Sequence, residues 1–134
     1  MKKKILFGLF AFVAVAQLAF ATSTWSDAYT YELTGGGDWK RQTTVGEYMG
    51  NLKDSNTAKY DVYTVSKTMW SSPSFRVVNS NNAVVAGSVT TAPAGQYSTK
   101  NENTGTIGYA YYGSVKPAWN QLGTDRIKLQ FRVY

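Results

Sequence analysis

The sequence has no cysteine and no histidine, and only eight Asp and Glu against fourteen Lys and Arg. The first absence removes disulfides and any thiol-anchored lipid, so the fold must hold by packing and backbone pairing alone. The second removes the usual general base and the Ser-His and Cys-His nucleophile pairs; together the two absences remove ordinary zinc and iron sites. Paired carboxylates remain a route to hydrolysis. Yet Asp38, Asp54 and Asp125 stand in turn-like segments, where a side-chain oxygen commonly satisfies backbone N–H groups. A calcium loop starting at Asp54 has a possible oxygen ligand at Asn56, but Lys59 occupies the place that needs glycine and Val65 the place that needs glutamate. No catalytic residue, metal ligand or cofactor is expected.

Long apolar runs are scarce too. The only one, Ile5 to Leu18, follows Met1-Lys2-Lys3-Lys4 and leads into Ala19-Phe20-Ala21. A basic start, a short apolar stretch and an A-x-A site in this order predict a secretory signal peptide over residues 1–21, cleaved between Ala21 and Thr22. The run is shorter than the roughly 20 residues of a membrane-spanning helix. Residues 22–134 are then expected to form one secreted, extracellular domain with no integral membrane span. Three of the fourteen cations leave with the leader, which reduces the net charge from +6 to +3. That balance is too mild to predict a nucleic-acid partner.

Within that domain the pattern is period two. Trp25, Tyr29, Tyr31 and Leu33 share one parity, and Gly35-Gly36-Gly37-Asp38 predicts a turn into a second strand through Trp39, Arg41, Thr43 and Val45, the two forming a hairpin. Thr44, Glu47, Val45, Tyr48, Met49 and Leu52 carry helical spacing, which Gly46 and Gly50 oppose, so a single helical turn or an ordered loop is expected there. Strands follow over Ala58 to Ser66, Phe75 to Val78 and Val84 to Val89, the last two a hairpin around Asn79-Ser80-Asn81-Asn82. A long exposed connection, including Ser98 to Thr106, leads to a strand from Ile107 to Val115, and Lys116 to Gly123 is an irregular crossing before the final strand. About seven short strands without a long helical period predict an all-β fold, an antiparallel β-sandwich.

Aromatic residues are abundant and mostly polar-tipped: beyond the leader there are four Trp and ten Tyr, but the only Phe are Phe75 and Phe131. Such rings suit surfaces that stack on sugars or bind proteins. Tyr109, Tyr111 and Tyr112 occupy both faces of one strand, so at least one ring must point away from the core. Trp25, Trp39 and Trp70 read as core by parity or flanking pattern, and Trp119, beside Pro117 and Asn120, reads as exposed. The sequence ends on RIKLQFRVY, whose Ile127, Leu129, Phe131 and Val133 oppose Arg126, Lys128, Gln130, Arg132 and Tyr134. In an outer-membrane barrel the final aromatic would share a lipid-facing side with apolar residues. Burying Lys128 and Arg132 there would cost about 2 to 4 kcal/mol each. The cationic face is therefore expected to be solvated, or to adhere to an anionic envelope polymer in a salt-sensitive way.

The leader, the Trp39-Lys40-Arg41-Gln42-Thr43-Thr44 stretch, the Tyr109-Ala110-Tyr111-Tyr112 strand and the cysteine-free β pattern resemble small secreted all-β proteins of Gram-positive bacteria, some uncharacterised and some similar to lactococcin-type bacteriocins. The residues and this resemblance lead to an expected secreted, non-enzymatic binding protein of the cell envelope, with an envelope polysaccharide or anionic polymer as partner. Trp119, Tyr109, Tyr111, Tyr112, Arg126, Lys128 and Arg132 are the candidate binding residues. A bacteriocin-like antibacterial protein and a small carboxylate-dependent hydrolase are the alternatives.

Overall fold

The final strand organises the molecule. A computed structural model of the chain describes residues 24–42 and 50–134. The expected leader, its cleavage point and most of the stretch with helical spacing lie outside the described residues. β9 (Thr124–Val133) alternates inward Ile127, Leu129, Phe131 and Val133 with outward polar residues, and is flanked by β1 (Tyr29–Thr34) and β4 (Tyr60–Lys67). With β7 (Tyr97–Lys100) these form an antiparallel sheet in the order β1-β9-β4-β7.

The second sheet is also antiparallel and runs β2 (Lys40–Arg41), β8 (Ala110–Lys116), β5 (Ser74–Val78), β6 (Val84–Thr90), with β3 (Asn51–Leu52) paired to the start of β8. No helix occurs among the described residues, and hence none that is long and apolar enough to cross a membrane. The two sheets share one core, in the manner of an antiparallel β-sandwich. Phe75 of β5 contacts Tyr60 of β4 and Phe131 of β9, with ring centroids 5.7 and 5.5 Å apart, and the buried Tyr60 hydroxyl crosses the core to donate to the Gly87 carbonyl at 2.7 Å. Burial pushes the hydroxyls of Tyr31 and Tyr60 well above their ordinary pKa, so both remain donors. Position 113 of β8 is glycine because a Cβ there would lie 2.5 Å from the Tyr31 hydroxyl and 2.7 Å from the Phe75 ring.

Three expectations change. Nine strands are described rather than about seven. The additions are β3 and β7, and β7 lies within the stretch expected to be an exposed connection. The chain turns after β1 as expected, but β1 and β2 are not a hairpin: β1 pairs with β9 and β2 with β8, so Gly35–Asp38 carries the chain from one sheet to the other. A glycine-rich turn permits either route, and pairing with β9 lets Tyr31 and Leu33 face the same core as Ile127 and Leu129. The strand expected from Ile107 begins only at Ala110, because Gly108 adopts φ 89° in a turn before it. The β5–β6 hairpin forms as expected. The Asn79 side chain accepts hydrogen bonds from the Asn81 and Ala83 amides at 3.0 and 2.9 Å, and Asn82 takes the left-handed conformation that Asn tolerates.

Candidate functional site

Strand register brings four connections to one end of the sandwich. Ser74 pairs with both Lys116 and Thr90, Thr34 with Thr124, and Lys67 with Ile127. The β1–β2, β4–β5, β6–β7 and β8–β9 loops therefore emerge together, and each is tied down. The Gly35 amide donates to the Gly123 carbonyl at 2.9 Å, and Gln121 Nε2 donates to the Leu33 carbonyl at 2.7 Å. The Thr68 amide donates to the Arg126 carbonyl at 2.9 Å and Lys67 Nζ to the Ser71 carbonyl at 3.0 Å, while Thr91 donates through both its amide and its hydroxyl to the Pro73 carbonyl.

On these fixed loops stand two tryptophans that face solvent: Trp119 is 94% exposed and Trp70 is 71% exposed. Trp119 matches its expected exposure. Trp70 corrects the expectation that it is core, because the adjacent Met69 turns inward in its place. Both rings line one open groove of 580 Å³ whose other walls include Ser72, Ser74, Thr90, Asn120 and Lys116. Among the described residues no carboxylate lines this groove. Two smaller pockets continue past the buried Pro117, one of 480 Å³ beside Asp38 and Trp119, the other of 300 Å³ lined by Glu32, Asp38, Trp39 and Lys40. The two acids that share the last pocket are engaged. Glu32 pairs with Arg126 at 3.2 Å, and Asp38 accepts from the Trp39 amide at 2.7 Å.

The loop anchoring has a testable weak point. A Cβ at Gly35 would overlap the Gln121 main-chain oxygen, which cannot move without displacing the Trp119 loop. Gly35→Ala should therefore cost about 1–3 kcal/mol in urea unfolding and shift the tryptophan emission of the folded state. A variant with native stability and an unchanged spectrum would show that the two loops move independently.

The other anticipated residues are scattered. Tyr109 is exposed at the opposite end, beside the main-chain contacts of Lys53 and Gly108. Tyr111 points into the core, and its hydroxyl bonds the main chain of Thr106. Tyr112 lies on the outer face of the second sheet under the Arg41 guanidinium, 5.2 Å from the ring centroid. Arg126 and Lys128 reach solvent as expected, but the rest of that face is occupied. The Arg132 guanidinium lies over Trp25 at 4.4 Å, and its Nε donates to Asp61 at 2.9 Å. Asp61, fully buried, also accepts from Thr99 Oγ1 at 2.6 Å and the Tyr134 hydroxyl at 2.8 Å, with Lys59 Nζ 3.9 Å away.

Burial alone would raise the Asp61 pKa, but hydrogen bonds from Thr99, Tyr134 and Arg132 and the charge of Lys59 outweigh it, and the carboxyl titrates below its ordinary value. Burial, then the bond to Asp61, pushes the Tyr134 hydroxyl up and keeps it a donor. Lys53, whose Nζ donates to the main-chain oxygens of Thr57 and Tyr134, has its pKa lowered by burial against the opposing pull of Asp54. These contacts tie the end of β9 to β4 and β7.

Lys116, Ser74 and Thr90 carried no usable signal, since they meet only through the pairing of β5 with β6 and β8; Trp70 joins them from the β4–β5 loop. No protein-family model matches the chain, and no curated protein matches it significantly in sequence.

Proposed function

We propose that this is a secreted, non-enzymatic glycan-binding protein of the cell envelope, with Trp70 and Trp119 as its stacking platforms. Secretion rests on the Lys-rich start, the apolar run and the A-x-A site at Ala19-Phe20-Ala21. The carrying observation is that two strongly exposed indoles line one groove on anchored loops. Leaving an aromatic side chain in water forgoes roughly 1.5–3 kcal/mol of burial each, a sacrifice that suits a surface with a partner.

A pyranose ring presents a face of C–H groups, which packs on an indole, and a rim of hydroxyls, which pairs with groups such as Ser72, Ser74, Thr90 and Asn120. Anchored loops reduce the ordering cost of binding. A binding role is favoured over hydrolysis by where the acids are. The groove walls carry none among the described residues, and Glu32 and Asp38 are already bonded in the neighbouring pocket.

Cosedimentation of the mature protein with peptidoglycan and with chitin tests this. Trp70→Ala and Trp119→Ala should each weaken binding about tenfold, in the range of interface tryptophans, and the double variant should abolish it. Because both rings are exposed, melting temperatures should stay near native. A double variant that sediments as well as the native protein removes the groove from consideration.

A further inference from the structure

Beyond Lys116, at the edge of the groove, the outer face of the second sheet continues. Gly113 and Val115 face the core, so Ser114 points outward, and register places it in one row with Arg41 of β2 and Arg76 of β5. Lys116 and its partner Ser74, both lining the groove, are the next outward rung on the same strands, about 6.8 Å along. The outer face of the second sheet thus runs from the tryptophan groove directly onto two arginines.

These arginines are held but not neutralised. The Arg76 guanidinium is stacked on Trp39 at 4.0 Å, and Arg41 lies over Tyr112 while donating from Nη1 to the Ser80 carbonyl at 2.8 Å. The ion pairs among the described residues are Lys59–Asp61, Lys100–Glu102, Arg126–Glu32 and Arg132–Asp61, and none of them includes Arg41 or Arg76. Stacking fixes the plane of a guanidinium without consuming its in-plane donors, the arrangement that suits a carboxylate, sulfate or phosphate.

A second, independent observation lies in the same row. Among the described residues Ser114 Oγ and Arg76 Nε are both buried without a hydrogen-bond partner, and buried polar atoms in folded proteins are rarely left so. Ser114 itself is 1% exposed. An oxyanion lodged between the two guanidinium groups would supply the missing acceptor, and among the described residues no acid ties the arginine ends together.

We infer that the Arg41–Ser114–Arg76 row binds the anionic group of an acidic glycan whose neighbouring sugars occupy the Trp70–Trp119 groove. This rests on the glycan reading of the groove and adds a ligand class to it.

The test is a binding panel of matched oligosaccharides, neutral or bearing uronate, sulfate or phosphate, at two salt concentrations. The native protein should bind acidic members at least tenfold tighter than their neutral counterparts, with a preference that shrinks as salt rises. Arg41→Gln with Arg76→Gln should lower acidic binding to the neutral level and leave neutral binding intact. Ser114→Ala, which retains both charges, should weaken acidic binding severalfold without lowering the melting temperature. Trp70→Ala with Trp119→Ala should lose both classes.

Acidic binding that survives the arginine substitutions overturns the row. Acidic binding that survives loss of both tryptophans overturns the groove but leaves the row standing. A panel in which nothing binds overturns both. Inorganic phosphate at matched anion concentration is the competitor: displacement of the acidic oligosaccharide would mean a free oxyanion site, against the glycan-borne assignment.

Discussion

Phe75→Ala is expected to lower stability by about 3–5 kcal/mol, the range for truncating a buried aromatic. Phe75 is fully buried, and its ring is the contact between Tyr60 and Phe131 across the two sheets. It also fills the space that Gly113 leaves open. Truncation would leave a void between sheets already fixed by their own ladders, so the site cannot collapse and the cost should lie in the upper half of that range. Small domains have only about 5–15 kcal/mol in total, and no disulfide compensates here. Urea titration should show an earlier midpoint with an unchanged slope. A loss below about 1 kcal/mol would mean that the sheets are held together elsewhere.

Asp61→Asn should cost about 2 kcal/mol at neutral pH, as expected for losing hydrogen bonds to a charged buried group. In a domain of this size that is roughly a 10 °C fall in melting temperature. The isosteric amide preserves shape but removes the charge that Arg132 and Lys59 face, and it puts a donor where one of the two accepting oxygens stood. The pH dependence gives the mechanism a signature. The folded carboxyl has a pKa below that of the unfolded chain, about 3.9. Its stabilisation is complete above the unfolded value and disappears as pH falls through the folded one. The gap between native protein and variant should thus be constant from about pH 5 to 8 and close on acidification below about pH 4. A gap that is unchanged at acid pH would assign the loss to packing.

How far the sequence carried depended on which physical question was asked. Alternation reports which face a side chain takes, and it placed Ile127, Leu129, Phe131 and Val133 inward, where they are. Alternation is silent on which strand lies alongside. The turn at Gly35–Asp38 was therefore legible as a turn, while its route between sheets was not. Parity also loses meaning in a loop: Met69 and Trp70 are adjacent apolar residues between polar neighbours, and only the fold decides that Met69 is the buried one. Tyr97 to Lys100 alternates weakly because β7 is an edge strand with no fully buried residue. Asp61 and Arg132 lie 71 positions apart, so their contact was beyond any local pattern.

The central place of β9 constrains how the molecule comes into being. Thr34 of β1 waits for Thr124, and Tyr60 of β4 for Val133, so the first sheet has no continuous ladder until the chain beyond Thr124 is available. Loop-closure entropy must be met before such distant pairings stabilise anything, which makes assembly slow relative to helical or hairpin-rich folds. The second sheet carries no such dependence, since β5, β6 and β8 pair among themselves without β9, so the two halves of the core become available at different points along the chain.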